Sequence, residues 1–344
     1  MSESDTSGMP EAPEVWASDT PTGMGRALLA WLTEFWIVGV FALLVVLFTA
    51  TARGFVSAEN WVSTAQYTTE YLLLALGELM VIATAGIDLS VGATLGLSGV
   101  ISALIVSATT NQGTAHAALG LAAGVVAALA TGALVGLFNG ALITRLNVTP
   151  FIATLGSLGM VSGVTFLLTN GNDVTTVPQW LGHVGNHVYF GLFTVPVLVT
   201  AVVAVLVSLM LSRTRFGLRT YALGSNVEAA RRTGINVNRH LLLVYMCAGL
   251  LAGLSGFLVL LRFVAGSPIA GTNDELSAIA AVVIGGASLF GGTGTVLGTV
   301  IGSLLIATLV SGLILLNVQA YWQTVLTGAI IVVAVAIDQR RRGS

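Results

Sequence analysis

Ala85-Gly86-Ile87-Asp88-Leu89-Ser90-Val91-Gly92 places an acid and two glycines between two strongly apolar runs, Leu73 to Ala85 before it and Val91 to Ala108 after it. A chain crossing lipid must satisfy its backbone polar groups internally, so this interruption reads as a broken membrane helix. Near the other end of the chain, Gly285-Gly286-Ala287-Ser288-Leu289-Phe290-Gly291-Gly292-Thr293-Gly294 interrupts a second apolar stretch in a related way. Paired interruptions of this kind point to moving or substrate-handling segments of membrane transporters.

The composition fits that setting. Of 344 residues, 55% are hydrophobic and only 8% charged, against about 25% charged in soluble domains. Phe35 to Ala52, Leu89 to Thr144, Leu146 to Asn172, Val174 to Ser212, His240 to Leu261 and Leu276 to Ile337 contain no Asp, Glu or Arg. One crossing needs about 20 apolar residues, so several of these runs hold more than one. The expected fold is all-α, a polytopic membrane protein; the alternating ten-residue segments of an outer-membrane barrel are absent. Single Cys247 lies in an apolar run and reads as packing.

Ten crossings are expected, at about 28–50, 71–86, 90–108, 117–143, 150–168, 194–212, 241–261, 277–290, 295–315 and 321–338, with breaks near 86–92 and 285–294. With both termini in the cytoplasm, eleven of the thirteen arginines fall inside and only Arg53 and Arg262 outside, as the positive-inside rule requires. The domains are then an acidic, disordered cytoplasmic tail at 1–26, a transmembrane domain at 27–339 with a cytoplasmic loop at 213–240, and a basic tail at 340–344. The largest polar external segment, 169–193, reads either as a connector with an interfacial Trp180 or as a docking surface; His183 and His187 lack the partners of a metal site.

Within the cytoplasmic loop, Ser225 followed by Glu228 fits a capping box and Gly234 fits a helix stop, leaving room for about two turns. So short a helix is marginal alone and is expected to pack on lipid, on the rest of the chain or on a cytoplasmic partner. Glu228-Ala229-Ala230, three residues, then Gly234 resembles the coupling loop of ATP-binding-cassette importer permeases. Gly86–Gly92, Pro150-Phe-Ile-Ala-Thr-Leu-Gly156, Tyr221-Ala-Leu-Gly-Ser-Asn226, Thr233–Asn236, Ala280–Gly286 and Ser288–Gly292 resemble the ribose, xylose and arabinose permeases of that class. The similarity runs from about Tyr71 to Asp338. Ala85, Ala287, Thr293 and Glu78 depart from the usual pattern.

The resemblance implies a subunit that carries a neutral monosaccharide and is not itself an enzyme. It implies a second permease copy or a paralogue, ATPase subunits holding ATP and Mg, an external solute-binding protein and the plasma (inner) membrane, with no nucleic acid partner. No cofactor is expected in this chain, and a sequence without Lys cannot contain a Walker A motif. Ser225, Glu228, Ala229, Ala230, Arg231 and Gly234 are the expected ATPase-coupling residues. Gly86, Asp88, Ser90, Gly92, Gly291 and Gly292 are the expected gate, Asp88 and Ser90 also serving as caps for the third crossing. Glu78, Asn139, Thr149, Phe151, Glu275 and Asn317 are candidates for the substrate path, with helix-to-helix hydrogen bonding as the plainer alternative. Gly96, Gly99, Gly120, Gly124, Gly132, Gly136, Gly298 and Gly302 read as packing glycines. A nucleoside, signalling furanose or branched-chain amino acid would suit the same machinery. An ion-coupled secondary carrier is the competing class.

Overall fold

The computed structural model of the chain describes residues 24–110, 116–329 and 332. Twelve helices follow in order: α1 (Met24–Thr51), α2 (Ala58–Ala83), α3 (Val91–Thr110), α4 (Ala117–Arg145), α5 (Pro150–Thr169), α6 (Trp180–Asn186), α7 (Val195–Arg213), α8 (Arg215–Ser225), α9 (Val227–Arg232), α10 (Val237–Phe263), α11 (Asp274–Ile284) and α12 (Val296–Leu315). Residues 320–329 are helical as well, and no strand occurs among the described residues. The fold is therefore all-helical. Among the described residues, six helices, α3, α4, α5, α7, α10 and α12, are long and apolar enough to cross a membrane. The tail expected at 340–344 and all but the last three residues of that at 1–26 lie outside the described residues.

Several boundaries differ from expectation. Residues 58–70, read as part of an external segment, are the first half of α2. Their threonines are compatible with a helix because Thr64, Thr68 and Thr69 each donate a hydroxyl to the carbonyl four residues earlier. Ser57 caps the helix, its side chain accepting from Asn60 N. The expected crossing at 277–290 is shortened to α11, and the 169–193 segment contains α6, whose Gly185 lies against the Leu261 carbonyl.

Every residue from Tyr71 to Ala83 is buried, so this half of α2 is enclosed on all sides by α7, α10, α11 and α12. A helix apolar around its whole circumference is a core helix. Around it the bundle is held by close backbone approach, since lipid tails supply no hydrophobic drive between helices. A Cβ on any of the eight predicted packing glycines would meet a neighbouring group. On α4 and α10 the effect is reciprocal: Gly132 faces the Gly249 carbonyl and Gly249 faces the Gly132 carbonyl.

Candidate coupling junction

The loop from α7 to α10 carries two short helices. Thr214 caps α8, accepting from Phe216 N. The expected capping box is corrected: Asn226 caps α9, accepting from Ala229 N, while the Ser225 hydroxyl donates to Tyr221 O. Both residue types cap helices, and the backbone at Asn226 is extended where α8 ends and α9 begins, so the cap falls one residue later. At the other end Ile235 N donates to Ala230 O and Gly234 N to Arg231 O, with Gly234 at φ +83°. This is a Schellman closure with the glycine at the left-handed position.

Ser225, Glu228, Ala229, Arg231 and Gly234 are exposed, and Ala230 alone of the six expected coupling residues is buried, against Leu223 and Val237. The Glu228–Arg231 pair is 2.9 Å apart with both side chains about 60% exposed, an arrangement that adds little stability. Helix α9 is thus an exposed, charged platform anchored by one small apolar side chain.

Directly behind it, the two predicted breaks meet. α2 ends with Gly86 N donating to Val81 O and Ala85 N to Ile82 O; α11 ends with Ala287 N donating to Val282 O and Gly286 N to Val283 O. The two terminations are the same Schellman motif. They are joined by Gly292 N donating to Ala83 O at 3.0 Å. Tyr221 of α8 donates its hydroxyl to Gly294 O at 2.9 Å, and burial pushes its phenol above the ordinary value, so it stays a donor at neutral pH. Gly224 fills the remaining gap: a Cβ there would lie 2.5 Å from Gly292 N and would overlap Ala83 O. The Tyr221–Asn226 motif is visible in the sequence, but nothing in it assigns a role to Tyr221 or Gly224.

Ala85 occupies the left-handed position of its turn at φ +62°, where α11 has Gly286. A Cβ in that conformation costs roughly 1–2 kcal/mol, partly offset because glycine adds freedom to the unfolded chain. Ala85→Gly is therefore expected to stabilise the protein by about 0.5–1 kcal/mol, read as a rise in melting temperature of the purified permease in detergent.

A buried polar network fixes the first break from within. The Asp88 carboxylate accepts from Ser90 N (2.9 Å) and Ser90 Oγ (2.7 Å). Asn139 of α4 donates to Ser90 Oγ at 2.8 Å, and Ser157 of α5 donates to Asn139 Oδ1. Thr154 donates to Ile87 O at 3.1 Å, and Asp88 N makes a long 3.5 Å bond to Glu78 Oε2. Tyr245 of α10 closes the group, its hydroxyl 2.6 Å from where a Cβ on Gly86 would fall. Beyond Ser90 within the break itself, these contacts come from four helices, α2, α4, α5 and α10, so the break is over-determined by the fold and does not depend on lipid.

Of the expected path residues, Glu78 and Asn139 belong to this network, and Glu275, also buried, lies against Gly92. Thr149 and Phe151 are exposed at the start of α5, and Asn317 is an exposed left-handed residue ending α12. Ser157 and Tyr245 were missed; a lone polar group in an otherwise apolar run was the available signal.

Residues 60–335 match the family described as the branched-chain amino acid transport system / permease component. The chain belongs to this permease family. It is 38% identical to the ribose import permease protein RbsC of Escherichia coli (strain K12), over 94% of this chain and 99% of that one. It is 40% identical to RbsC of Bacillus subtilis (strain 168), over 78% and 81% respectively. Identity to the D-allose transport system permease protein AlsC of Escherichia coli is 34%, over 87% of this chain and 90% of that one. No solved structure matches the chain.

Proposed function

We propose that the chain is the membrane-spanning subunit of an ATP-driven importer for a neutral monosaccharide of the ribose type. The observation that carries this is the junction: an exposed short helix suited to a cytoplasmic ATPase follows directly on α8, which touches both broken helices through Tyr221 and Gly224. The cargo class is supported by the named cargoes of the relatives, ribose and allose. An external binding protein delivers the sugar, and ATP with Mg is held by a separate ATPase chain. The path switches its open side when the ATPase favours one permease conformation, which requires different affinity for the two.

Ten crossings, both termini in the cytoplasm of an inner-membrane protein and the junction on the arginine-rich side make one consistent topology. In it Asp88, Ser90, Gly291 and Gly292 shape an inner gate. A second permease copy is supported by α5, where Gly156, Gly159 and Gly163 have open space beside them and Phe151, Ile152, Leu155 and Leu167 are exposed. Glycine in a helix costs about 1 kcal/mol relative to Ala, and on α3, α4, α10 and α12 that cost is offset by a close neighbour. The family description favours one second reading, a branched-chain amino acid as cargo.

Competition of radiolabelled D-ribose uptake by D-allose and by L-leucine separates the two cargoes. Glu228→Ala tests the coupling. Glu228 is exposed and pairs with the equally exposed Arg231, so the fold is expected to change by less than about 1 kcal/mol, while uptake falls about tenfold or more, the size of a coupling energy above 1 kcal/mol. Normal uptake, or uptake that survives ATP depletion and collapses with an uncoupler, contradicts the proposal.

A further inference from the structure

At the end of α11 away from the junction, a cavity of about 170 Å³ opens between α2, α11, α12 and the helix that begins at residue 320. α11 has 11 residues, so the cavity lies about 16 Å from the junction at ~1.5 Å per residue. It has room for five or six waters at ~30 Å³ each, the bulk of one small sugar ring.

Its lining gathers several polar side chains without a protein partner around one cavity, whereas other unpartnered groups such as Ser98, Thr200 and Ser303 are buried on α3, α7 and α12. Thr64, Thr68, Thr144 and Thr165 each spend the hydroxyl on a carbonyl one turn earlier. Of the cavity residues, Asn273, Ser277, Gln323, Thr324 and Thr327 make no side-chain hydrogen bond to any described residue. Asn273 is the clearest case. Asn226 and Asn236 stand at the starts of α9 and α10 and cap them with their side chains; Asn273 stands at the start of α11 in a left-handed conformation and does not. Two amides and three hydroxyls with free bonding capacity therefore share one cavity, and Tyr71 adds an aromatic ring.

The charge in the lining narrows the ligand. Asp274 is the one ionisable carboxyl there, and no arginine lines the cavity. Asp274 neighbours Glu70, whose carboxylate is 3.9 Å from Arg262. An amino acid carboxylate or a sugar phosphate would find no cation in this lining, whereas a polyol finds donors, acceptors and a ring face.

We propose that this cavity is a subsite for a neutral monosaccharide on the outer half of the path, with Asn273, Ser277, Gln323 and Thr324 bonding its hydroxyls. The assignment rests on the sugar-importer function proposed above. Two measurements on the full-length protein test it. In a Cys247→Ser background, Ser277→Cys or Thr324→Cys is labelled with a methanethiosulfonate reagent in nanodiscs. D-ribose at twice its dissociation constant is expected to slow labelling about threefold, and L-leucine to leave it unchanged. In cells that also carry the ATPase and binding protein, Gln323→Ala and Thr324→Val are expected to lower ribose uptake about tenfold, the size of one or two lost hydrogen bonds. Sugar-independent labelling together with wild-type uptake by both variants overturns the subsite and leaves the importer function standing. A wild-type protein that imports none of ribose, xylose or allose overturns both.

Discussion

Gly249→Val is expected to leave little or no folded permease. Helices α4 and α10 run together along Gly132, Gly136 and Gly140 on one side and Tyr245, Gly249 and Gly253 on the other. A Cβ on Gly249 overlaps the Gly132 carbonyl and lies 2.9 Å from Gly136 N. Those neighbours are backbone, so no rotamer change relieves the clash, and the two helices must part. Overpacking a core costs about 1–3 kcal/mol even where side chains can yield. Here the cost is expected to exceed about 3 kcal/mol, against a total stability of order 5–15 kcal/mol. Separation also opens the Asp88 network, because Asn139 on α4 and Tyr245 on α10 flank it from these two helices. Gly39→Val is the control: nothing lies within 4 Å of a Cβ at Gly39. Size-exclusion profiles and melting temperatures in detergent decide the matter. A Gly249→Val protein that melts with the wild type would show that the α4–α10 contact is not close-packed.

What local pattern can encode was legible. Glycine and an acid inside apolar runs announced both breaks; Glu228 to Gly234 announced a short helix; glycines four apart announced helix contact. Each of these signals lies within one or two turns of chain. Three-dimensional pairing was not legible, because nothing near Ala83 says that Gly292 will bond to its carbonyl, and nothing near Tyr221 names Gly294. Polarity misled at residues 58–70, where threonines that satisfy themselves against their own helix look like a solvent-facing loop. Ser225 and Asn226 compete as caps on equal terms, and only the backbone conformation chooses.

The candidate gate shows the same division. Asp88, Ser90 and Asn139 stood out singly, each as an anomaly in a membrane segment. Their mutual bonding, with Ser157 added from α5, joins two expected gate residues and one candidate path residue into one device that keeps residues 84–90 out of a helix. A carboxylate bonded to its own loop is committed to shape, whereas a cluster of polar groups with free capacity lines the cavity at the other end of α11.

Gly224→Val is expected to abolish import while the bundle stays folded and the ATPase still docks. Gly224 ends α8 at the one place where α8, the α2 termination and the α11 termination converge. Any side chain there intrudes on the Gly292 N to Ala83 O bond. Two groups can yield: α8 can lift away from the bundle, or the two breaks can separate. Either outcome removes the contact by which movement of α9 reaches the helix ends. Because α8 lies at the edge of the bundle and can lift away without parting α4 from α10, the melting temperature should fall far less than for Gly249→Val. Coupling energies between sites are typically 1–3 kcal/mol, so complete loss corresponds to roughly a 100-fold drop in ATP-driven uptake. Comparison with Glu228→Ala separates docking from transmission. Glu228→Ala should weaken ATPase co-purification with the permease, whereas Gly224→Val should retain it and lose only transport. Wild-type uptake by Gly224→Val would mean that the force enters the membrane domain elsewhere than at Tyr221 to Ser225.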